Sequence, residues 1–266
     1  MADESLLVEV ADGVATVTLN RPEARNALNG ELLAGVPRAL RGLDERDDVR
    51  AIVLTGTDPA FCAGLDLRAL STTGGRERAE TGPSGGASEI ALGELPFAGI
   101  ATPLIGAVNG PAVTGGLEYA LNCDFLVASE RARFADTHAR VGIMPGWGLT
   151  VLLPQAVGIR RARQMSYTGN FVDAHTALAW GLVNVVVPHS ELLTTARALA
   201  ADIASIPARQ VQRMKATYAA TLATHEADAF RVEGEMSREW MSGFEPTELA
   251  ANREAIQRRG RSQLTD

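Results

Sequence analysis

Apolar and polar residues alternate at the start of the chain in the pattern of two short β-strands. The alternation runs from Leu6 to Val10 and again from Val14 to Leu19, on either side of Asp12-Gly13. An Asp-Gly pair between two alternating segments favours a tight turn, because such turns need positive φ angles. The chain is therefore predicted to begin with an antiparallel hairpin.

Short unbroken apolar runs farther along the chain indicate strands that are buried on both faces. Residues Ala51 to Leu54 and Leu104 to Val108 form two such runs, and each is followed by a loop that contains Gly, Pro and Asn or Asp. Between Asn29 and Leu43, apolar residues recur instead at helical spacing. Strands buried on both faces are typical of parallel sheets covered by helices.

The order of helix and strand repeats through the middle of the chain. A helix predicted from Gly115 to Asn122 precedes a strand predicted from Phe125 to Ala128. A second helix is predicted from Asp173, a suitable N-cap, to Gly181, a suitable terminator, and a strand is predicted from Leu182 to Val187. This alternation favours an α/β core.

Strand signals stop near Ser190, and the remainder of the chain is predicted to be helical. The predicted helical segments are Pro207 to Thr221, Glu226 to Met241 and Pro246 to Arg259. Their faces carry few strongly apolar residues, so we expect them to pack on the α/β body or on a neighbouring subunit. The predicted organisation is an α/β core over residues 1–200 and a C-terminal helical region over residues 201–266.

A stretch rich in Gly, Ser and Thr runs from Ser71 to Ser88, between the two buried strands. It contains too few apolar groups to offset the entropy lost on ordering. We therefore predict a mobile surface segment. Long segments of this kind inside a compact domain often serve as lids.

The overall charge disfavours a nucleic-acid partner. The chain has 25 Lys and Arg against 32 Asp and Glu, a formal net charge of -7 and a pI near 5.2. Its long-range field repels phosphate backbones, although a few local Arg or Lys residues can still hold a small anionic ligand.

The cysteine content and the hydropathy of the chain indicate the cellular compartment to expect. Cys62 and Cys123 are too few for a disulfide framework, and no Cys/His spacing predicts zinc or another metal. The acidic N-terminus lacks the features of a signal peptide, and no apolar run reaches about 18 residues. We expect a soluble cytoplasmic protein with reduced thiols and no membrane partner.

Two glycine-containing turns follow the buried strands, over residues 61–67 and 109–118. Backbone N–H groups at such turns, above all at a helix N-terminus, can point together at a developing negative charge. The pair therefore suggests an oxyanion hole, while each turn taken alone is also explained by a tight bend. Glu118 falls in the first turn of the helix that begins at Gly115-Gly116, where it complements the helix dipole or serves as a general base.

The sequence resembles the crotonase, or enoyl-CoA hydratase/isomerase, superfamily over nearly its whole length. The elements occur in the order of that family. They are Arg21-Pro22-Glu23-Ala24-Arg25-Asn26-Ala27-Leu28, Phe61-Cys62-Ala63-Gly64-Leu65-Asp66-Leu67, Asn109-Gly110-Pro111, Gly115-Gly116-Leu117-Glu118, Cys123-Asp124, Phe134, and Gly142-Ile143-Met144-Pro145-Gly146-Trp147-Gly148. The resemblance implies a spiral of β-β-α units with C-terminal helices, assembled as a homotrimer or a dimer of trimers.

The resemblance also implies an acyl-CoA ligand whose thioester oxygen accepts two backbone hydrogen bonds, with no separate cofactor. The matching donors are Ala63 and Gly115. The positions that match the CoA-binding and acyl-binding segments of the family are Arg25, Ala27, Gly64, Leu65, Asp66, Leu67 and Trp147. Arg25 is placed near the nucleotide end, and Trp147 is assigned either to packing or to the lining of the acyl pocket.

The hydratases of this family use two glutamates, and the chain matches only the first of them. Glu118 stands at the first position, whereas His138 stands at the second, four residues after Phe134. Histidine titrates near neutral pH and can move a proton at the same place. Asp136 is the neighbouring carboxylate, and whether it can orient His138 depends on the local backbone, because residues two apart share a face only in a strand.

Three functions remain open from the sequence. The first is hydration of a trans-2-enoyl-CoA with Glu118 and His138 as catalytic residues. The second keeps the ligand but changes the reaction to isomerisation, decarboxylation or thioester hydrolysis. The third is an acyl-CoA-binding protein without turnover, which the Glu118 carboxylate disfavours because an unpaired buried carboxylate is costly.

Overall fold

A twisted six-stranded sheet forms the centre of the protein. The computed structural model describes residues 5–70 and 95–242 together with residues 253, 254, 257, 258 and 261. The strands of the main sheet, in spatial order, are β1 (Leu6–Ala11), β2 (Val14–Leu19), β3 (Ala51–Gly56), β4 (Leu104–Val108), β6 (Phe125–Ser129) and β9 (Val185–Val187). The β1–β2 pair is antiparallel and all the following pairs are parallel. The predicted hairpin and both predicted buried strands are confirmed.

A smaller second sheet contains the strands that precede Glu118 and His138 in the chain. Its strands are β5 (Pro111–Val113), β7 (Arg133–Ala135) and β8 (Val172–Asp173). Isolated parallel bridges join Cys62 to Ala112 and Leu28 to Leu65. The segment after β3 therefore lies between strand β5 and the segment before α1. Three distant parts of the chain meet here, beside the second sheet.

Nine α-helices surround the sheets in the described part of the chain. They are α1 (Gly30–Asp44), α2 (Leu67–Leu70), α3 (Gly115–Leu121), α4 (His138–Val141), α5 (Leu149–Val157), α6 (Ile159–Thr168), α7 (Ala174–Trp180), α8 (Leu192–Ala204) and α9 (Ala208–Ser242). Asp173 caps α7 by accepting the N–H of Thr176, and Gly181 ends it with a φ of 85°. These two predicted boundaries are confirmed.

The main sheet is buried on both faces. In β3, Ile52 and Leu54 face a core that includes α1, whereas Ala51 and Val53 face α8. Side chains alternate across a strand, so an unbroken apolar run is what burial on both faces requires. Helix α8 presents apolar residues to the sheet at four-residue intervals, which are Leu192, Ala196, Ala200 and Ala204.

The C-terminal part differs from its prediction. A break was expected between Thr221 and Glu226, but α9 runs without interruption from Ala208 to Ser242. The intervening residues include neither Gly nor Pro, so no residue there interrupts the helical hydrogen bonds. The last strand is also shorter than expected, because Leu182 to Asn184 still belong to the loop that follows α7.

Some predictions lie outside the residues that the structure describes. They concern the Ser71 to Ser88 segment and most of the predicted helix from Pro246 to Arg259. The division at residue 200 stays a prediction, and α8 runs across it. Among the described helices, none is both long and apolar enough to cross a membrane.

Candidate active site

Helix α3 places Glu118 inside the protein, with only 2% of the residue exposed. The helix starts directly after β5, at Gly115-Gly116, and a Cβ atom on Gly116 would clash with the carbonyl of Cys62. Glycine is therefore needed for this close approach of α3 to the segment after β3. The approach brings the first turn of α3, including Glu118, against the second sheet.

The two oxygens of the Glu118 carboxylate have different surroundings. Oε1 accepts the backbone N–H of Trp147 at 2.9 Å and that of Gly146 at 3.3 Å. Oε2 lies 3.5 Å from Nε2 of His138, which is an ion-pair distance but long for a hydrogen bond. One oxygen is thus held by the backbone, and the other is available on the side of His138.

His138 is held from its other side by Asp136. Its Nδ1 lies 2.7 Å from Asp136 Oδ1, and the same oxygen accepts the His138 backbone N–H at 3.1 Å. Strand β7 ends at Ala135, so Asp136 lies in the turn between β7 and α4, and His138 is the first residue of α4. The turn brings both polar groups together, which answers the question that spacing alone left open. Both residues are buried.

Charge interactions favour a protonated His138. Burial alone would lower the pKa of this imidazole, but its hydrogen bond to Asp136 and the neighbouring Glu118 carboxylate raise the pKa to about 10. Burial likewise acts to raise the pKa of Asp136, and it is outweighed by the hydrogen bond and charge of His138, so that this pKa is lowered. The three side chains therefore form a carboxylate–imidazolium–carboxylate row.

The expected donor at Ala63 is already engaged. Its backbone N–H donates to the carbonyl of Arg25 at 3.0 Å. An N–H with an internal acceptor does not face a thioester oxygen, so the assignment of Ala63 to the oxyanion hole is wrong. Gly115, the other predicted donor, begins α3, and its N–H has no acceptor among the described residues.

The structure points to Leu65 in place of Ala63. The carbonyl of Gly64 accepts the N–H of Leu28 at 2.8 Å. Since the C=O and N–H of a trans peptide point in opposite directions, the N–H of Leu65 is directed away from Leu28. It has no acceptor among the described residues. Gly64 has a φ of 88°, and a Cβ on it would lie 3.3 Å from the Gly115 nitrogen, so the Leu65 and Gly115 turns are in contact.

Most other predicted site residues lie close to these two donors. The Arg21 side chain connects two of them, because it donates to the Ala27 carbonyl at 2.6 Å and pairs with the Asp66 carboxylate at 3.3 Å. Leu67 begins α2, directly after Asp66. Their contacts with CoA stay predictions.

Trp147 occupies a position that fits both of its expected roles. Its ring packs on Tyr119 with a centroid distance of 5.8 Å, and an atom of its six-membered ring would lie 3.2 Å from a Cβ on Gly115. Its backbone N–H also holds Glu118, a contact that sequence reasoning missed together with that of Gly146. The two residues belong to the Gly142 to Gly148 motif, but nothing in that motif shows that its amides reach a carboxylate 28 residues earlier.

The chain is similar to known proteins over most of its length. The family model described as enoyl-CoA hydratase/isomerase matches residues 9–248. The chain is 34% identical over 250 residues to "Probable enoyl-CoA hydratase 1, peroxisomal" of Arabidopsis thaliana, covering 93% of this chain and 91% of the relative. It is 35% identical over 241 residues to crotonyl-CoA hydratase of Syntrophomonas wolfei, covering 86% and 90% of the two chains.

A solved structure shares the same arrangement of elements. The enoyl-CoA hydratase of Mycobacterium smegmatis superposes with a TM-score of 0.80 at 45% identity, over 90% of this chain and 99% of the other. The expected crotonase fold, an α/β spiral with C-terminal helices, is thereby confirmed. On these matches, the chain belongs to the enoyl-CoA hydratase/isomerase family.

Proposed function

We propose that this protein is an enoyl-CoA hydratase, which adds water across the double bond of a trans-2-enoyl-CoA thioester. The observation that carries the proposal is the buried Glu118 carboxylate, with Oε1 held by two amides and Oε2 facing His138. The printed names of the relatives support the same reaction.

The geometry supports a division of labour between the residues. The N–H groups of Leu65 and Gly115 stabilise the negative charge that develops on the thioester oxygen. Glu118 takes a proton from water through Oε2 as the hydroxyl adds to the β-carbon, and the His138 imidazolium gives its Nε2 proton to the α-carbon. Transfer of the proton from Glu118 to His138 then restores both groups. Asp136 acts as a positioning residue, because it keeps His138 protonated and oriented.

The family resemblance also supports proposals about the cofactor, the oligomeric assembly and the cellular compartment. The reaction as written needs no cofactor, since coenzyme A is part of the substrate. We propose a homotrimer or a dimer of trimers in the cytoplasm. Light scattering of the purified protein distinguishes three subunits from six.

The test of the function is an assay of trans-2-enoyl-CoA thioesters of increasing chain length with the purified protein. Loss of the conjugated chromophore is followed, and the product is identified by mass. We expect a 3-hydroxyacyl-CoA product. Formation of only deconjugated, decarboxylated or hydrolysed products, or binding without turnover, contradicts the proposal.

A backbone substitution tests the assignment of Leu65. Replacing the Leu65 amide with an ester, by incorporation of the α-hydroxy acid, removes the N–H without changing the side chain. We expect kcat to fall about 10²-fold, in line with the loss of one oxyanion donor. The matched control is an ester at Ala63, whose N–H binds Arg25, and it should leave kcat within about threefold of the unmodified enzyme. The opposite ranking would restore Ala63 as the donor.

A further inference from the structure

Thr114, the residue directly before the Gly115 donor, has a backbone conformation that threonine rarely adopts. Its φ is 54° and its ψ is -113°, and the residue is buried. A positive φ is a true outlier for a β-branched residue, because the branched side chain crowds its own backbone. Such conformations persist where the surroundings fix them, and they are concentrated at functional sites.

The backbone contacts of Thr114 set the direction of the Gly115 N–H. The Thr114 N–H donates to the carbonyl of Ala135 at 2.9 Å, and the Thr114 carbonyl accepts the N–H of Glu118 at 3.0 Å. This carbonyl and the Gly115 N–H belong to one trans peptide, so they point in opposite directions. The carbonyl points along α3, and the Gly115 N–H therefore points out of the start of the helix. A change in the conformation of Thr114 would turn this donor.

The side chain of Thr114 contacts Thr137, the residue directly before His138. The two hydroxyl oxygens lie 2.5 Å apart, which is a short hydrogen bond. Thr137 is the N-cap residue of α4, yet its side chain makes no capping hydrogen bond to that helix, which the structure describes throughout. A threonine at this position ordinarily accepts an N–H of the first turn. Its hydroxyl here binds Thr114 instead.

Thr114 also lies against the turn that carries the other donor. A Cβ atom on Gly64 would lie 3.3 Å from the Thr114 Cβ and 2.7 Å from the carbonyl oxygen of Val113. Gly64 directly precedes Leu65 in the chain. The hydroxyl pair of Thr114 and Thr137 therefore links the segments of both N–H donors to the segment of His138.

We propose that Thr114 and Thr137 are a pair of positioning residues, whose hydroxyl groups hold the Gly115 N–H and the His138 imidazole in a fixed relative geometry. The inference rests on the proposed function, in which the N–H stabilises charge on the thioester oxygen while the imidazole protonates the adjoining α-carbon. Two groups that act on neighbouring substrate atoms must be aligned at the same time. Each threonine acts through the residue that follows it and transfers no proton itself.

A double-mutant cycle with valine tests the pair, because valine is branched at Cβ like threonine but has no hydroxyl. We expect Thr114→Val and Thr137→Val each to lower kcat about tenfold and to change KM by less than about threefold. The double variant should also lie only about tenfold below the wild type, since both substitutions break the same hydrogen bond. Serine at either position keeps a hydroxyl and should restore most of kcat. The matched control is Thr194→Val, at an exposed position on α8, and it should keep the wild-type kcat.

The thioester carbonyl of a bound saturated acyl-CoA provides a readout that does not depend on hydration. Its stretching frequency, measured by infrared spectroscopy with a ¹³C label, falls when N–H groups donate to the oxygen. We expect Thr137→Val to raise this frequency toward that of the free ligand, as Thr114→Val does, although Thr137 adjoins His138 and not the donor. A saturated acyl-CoA has no double bond to hydrate, so the readout stays decisive if the protein catalyses a different reaction of acyl-CoA.

Circular dichroism shows whether each variant is folded. If Thr114→Val does not fold, the comparison of Thr137→Val with Thr137→Ser decides by itself, because both leave Thr114 unchanged. Folded valine variants with the wild-type kcat and carbonyl frequency overturn the proposal, as do two effects on kcat that multiply to about a hundredfold. A Thr137→Val protein with a lower kcat and an unchanged carbonyl frequency also overturns it, since Thr137 would then act on His138 alone.

Discussion

Replacing Glu118 with glutamine is expected to lower kcat for hydration about 10³-fold and to change KM by less than about threefold. Glutamine keeps an oxygen that can accept the N–H groups of Gly146 and Trp147, so the side chain keeps its place. It cannot take a proton from water. Its amide nitrogen would also face His138 as a donor, which disfavours the imidazolium.

The control for this variant is Glu45→Gln, which changes the same charge at an exposed position after α1. Circular dichroism and the binding affinity for a saturated acyl-CoA show whether the Glu118 variant is folded and loaded. Hydration at the wild-type rate by a folded Glu118→Gln protein would exclude Glu118 as the base, and with it the proposed mechanism.

Replacing His138 with glutamine should also reduce kcat about 10³-fold, because no group then protonates the α-carbon. The wild-type kcat should be constant with rising pH until His138 begins to lose its proton, and should fall as the pH passes about 10. That alkaline decrease should be missing in the His138 variant. The matched control is His175→Gln, at an exposed position on α7, and it should keep both the rate and the profile.

The variant Asp136→Asn distinguishes a positioning role from a purely structural one. Without the Asp136 charge, the pKa of His138 decreases, so the alkaline decrease in kcat should begin at lower pH than in the wild type. At a pH low enough to protonate His138 again, much of the rate should return. A loss of activity that is equal at every pH would show that Asp136 serves only the structure.

The hydrophobic pattern predicts much of the fold because its elements are governed by local periodicity. Strands β1 to β4 and helices α1, α3 and α7 lie where alternation, apolar runs and caps place them. The continuous α9 shows the limit of this approach, because two helical segments predicted separately from the sequence form one helix, with no glycine or proline between them.

The active site is harder to predict from the sequence, because it depends on the orientation of peptide groups and on contacts between distant residues. Motif matching alone assigns an oxyanion donor to Ala63, but the direction of each N–H depends on the neighbouring peptide planes. The bond from Leu28 to the Gly64 carbonyl directs the N–H of Leu65, and that bond joins segments 36 residues apart. The glycine within Ala63-Gly64-Leu65 is the signal that the sequence offers, since glycine readily adopts the positive φ found at this position.

The charged row around His138 also links catalysis to the stability of the fold. In the unfolded chain this imidazole titrates near its ordinary value of 6.5, whereas in the folded protein its pKa is about 10. Between these values, folding is accompanied by the uptake of a proton. The contribution of His138 to the free energy of unfolding is therefore complete below about pH 6.5 and is lost as the pH rises through about 10. Alkaline conditions that remove the catalytic proton should also make the protein easier to denature.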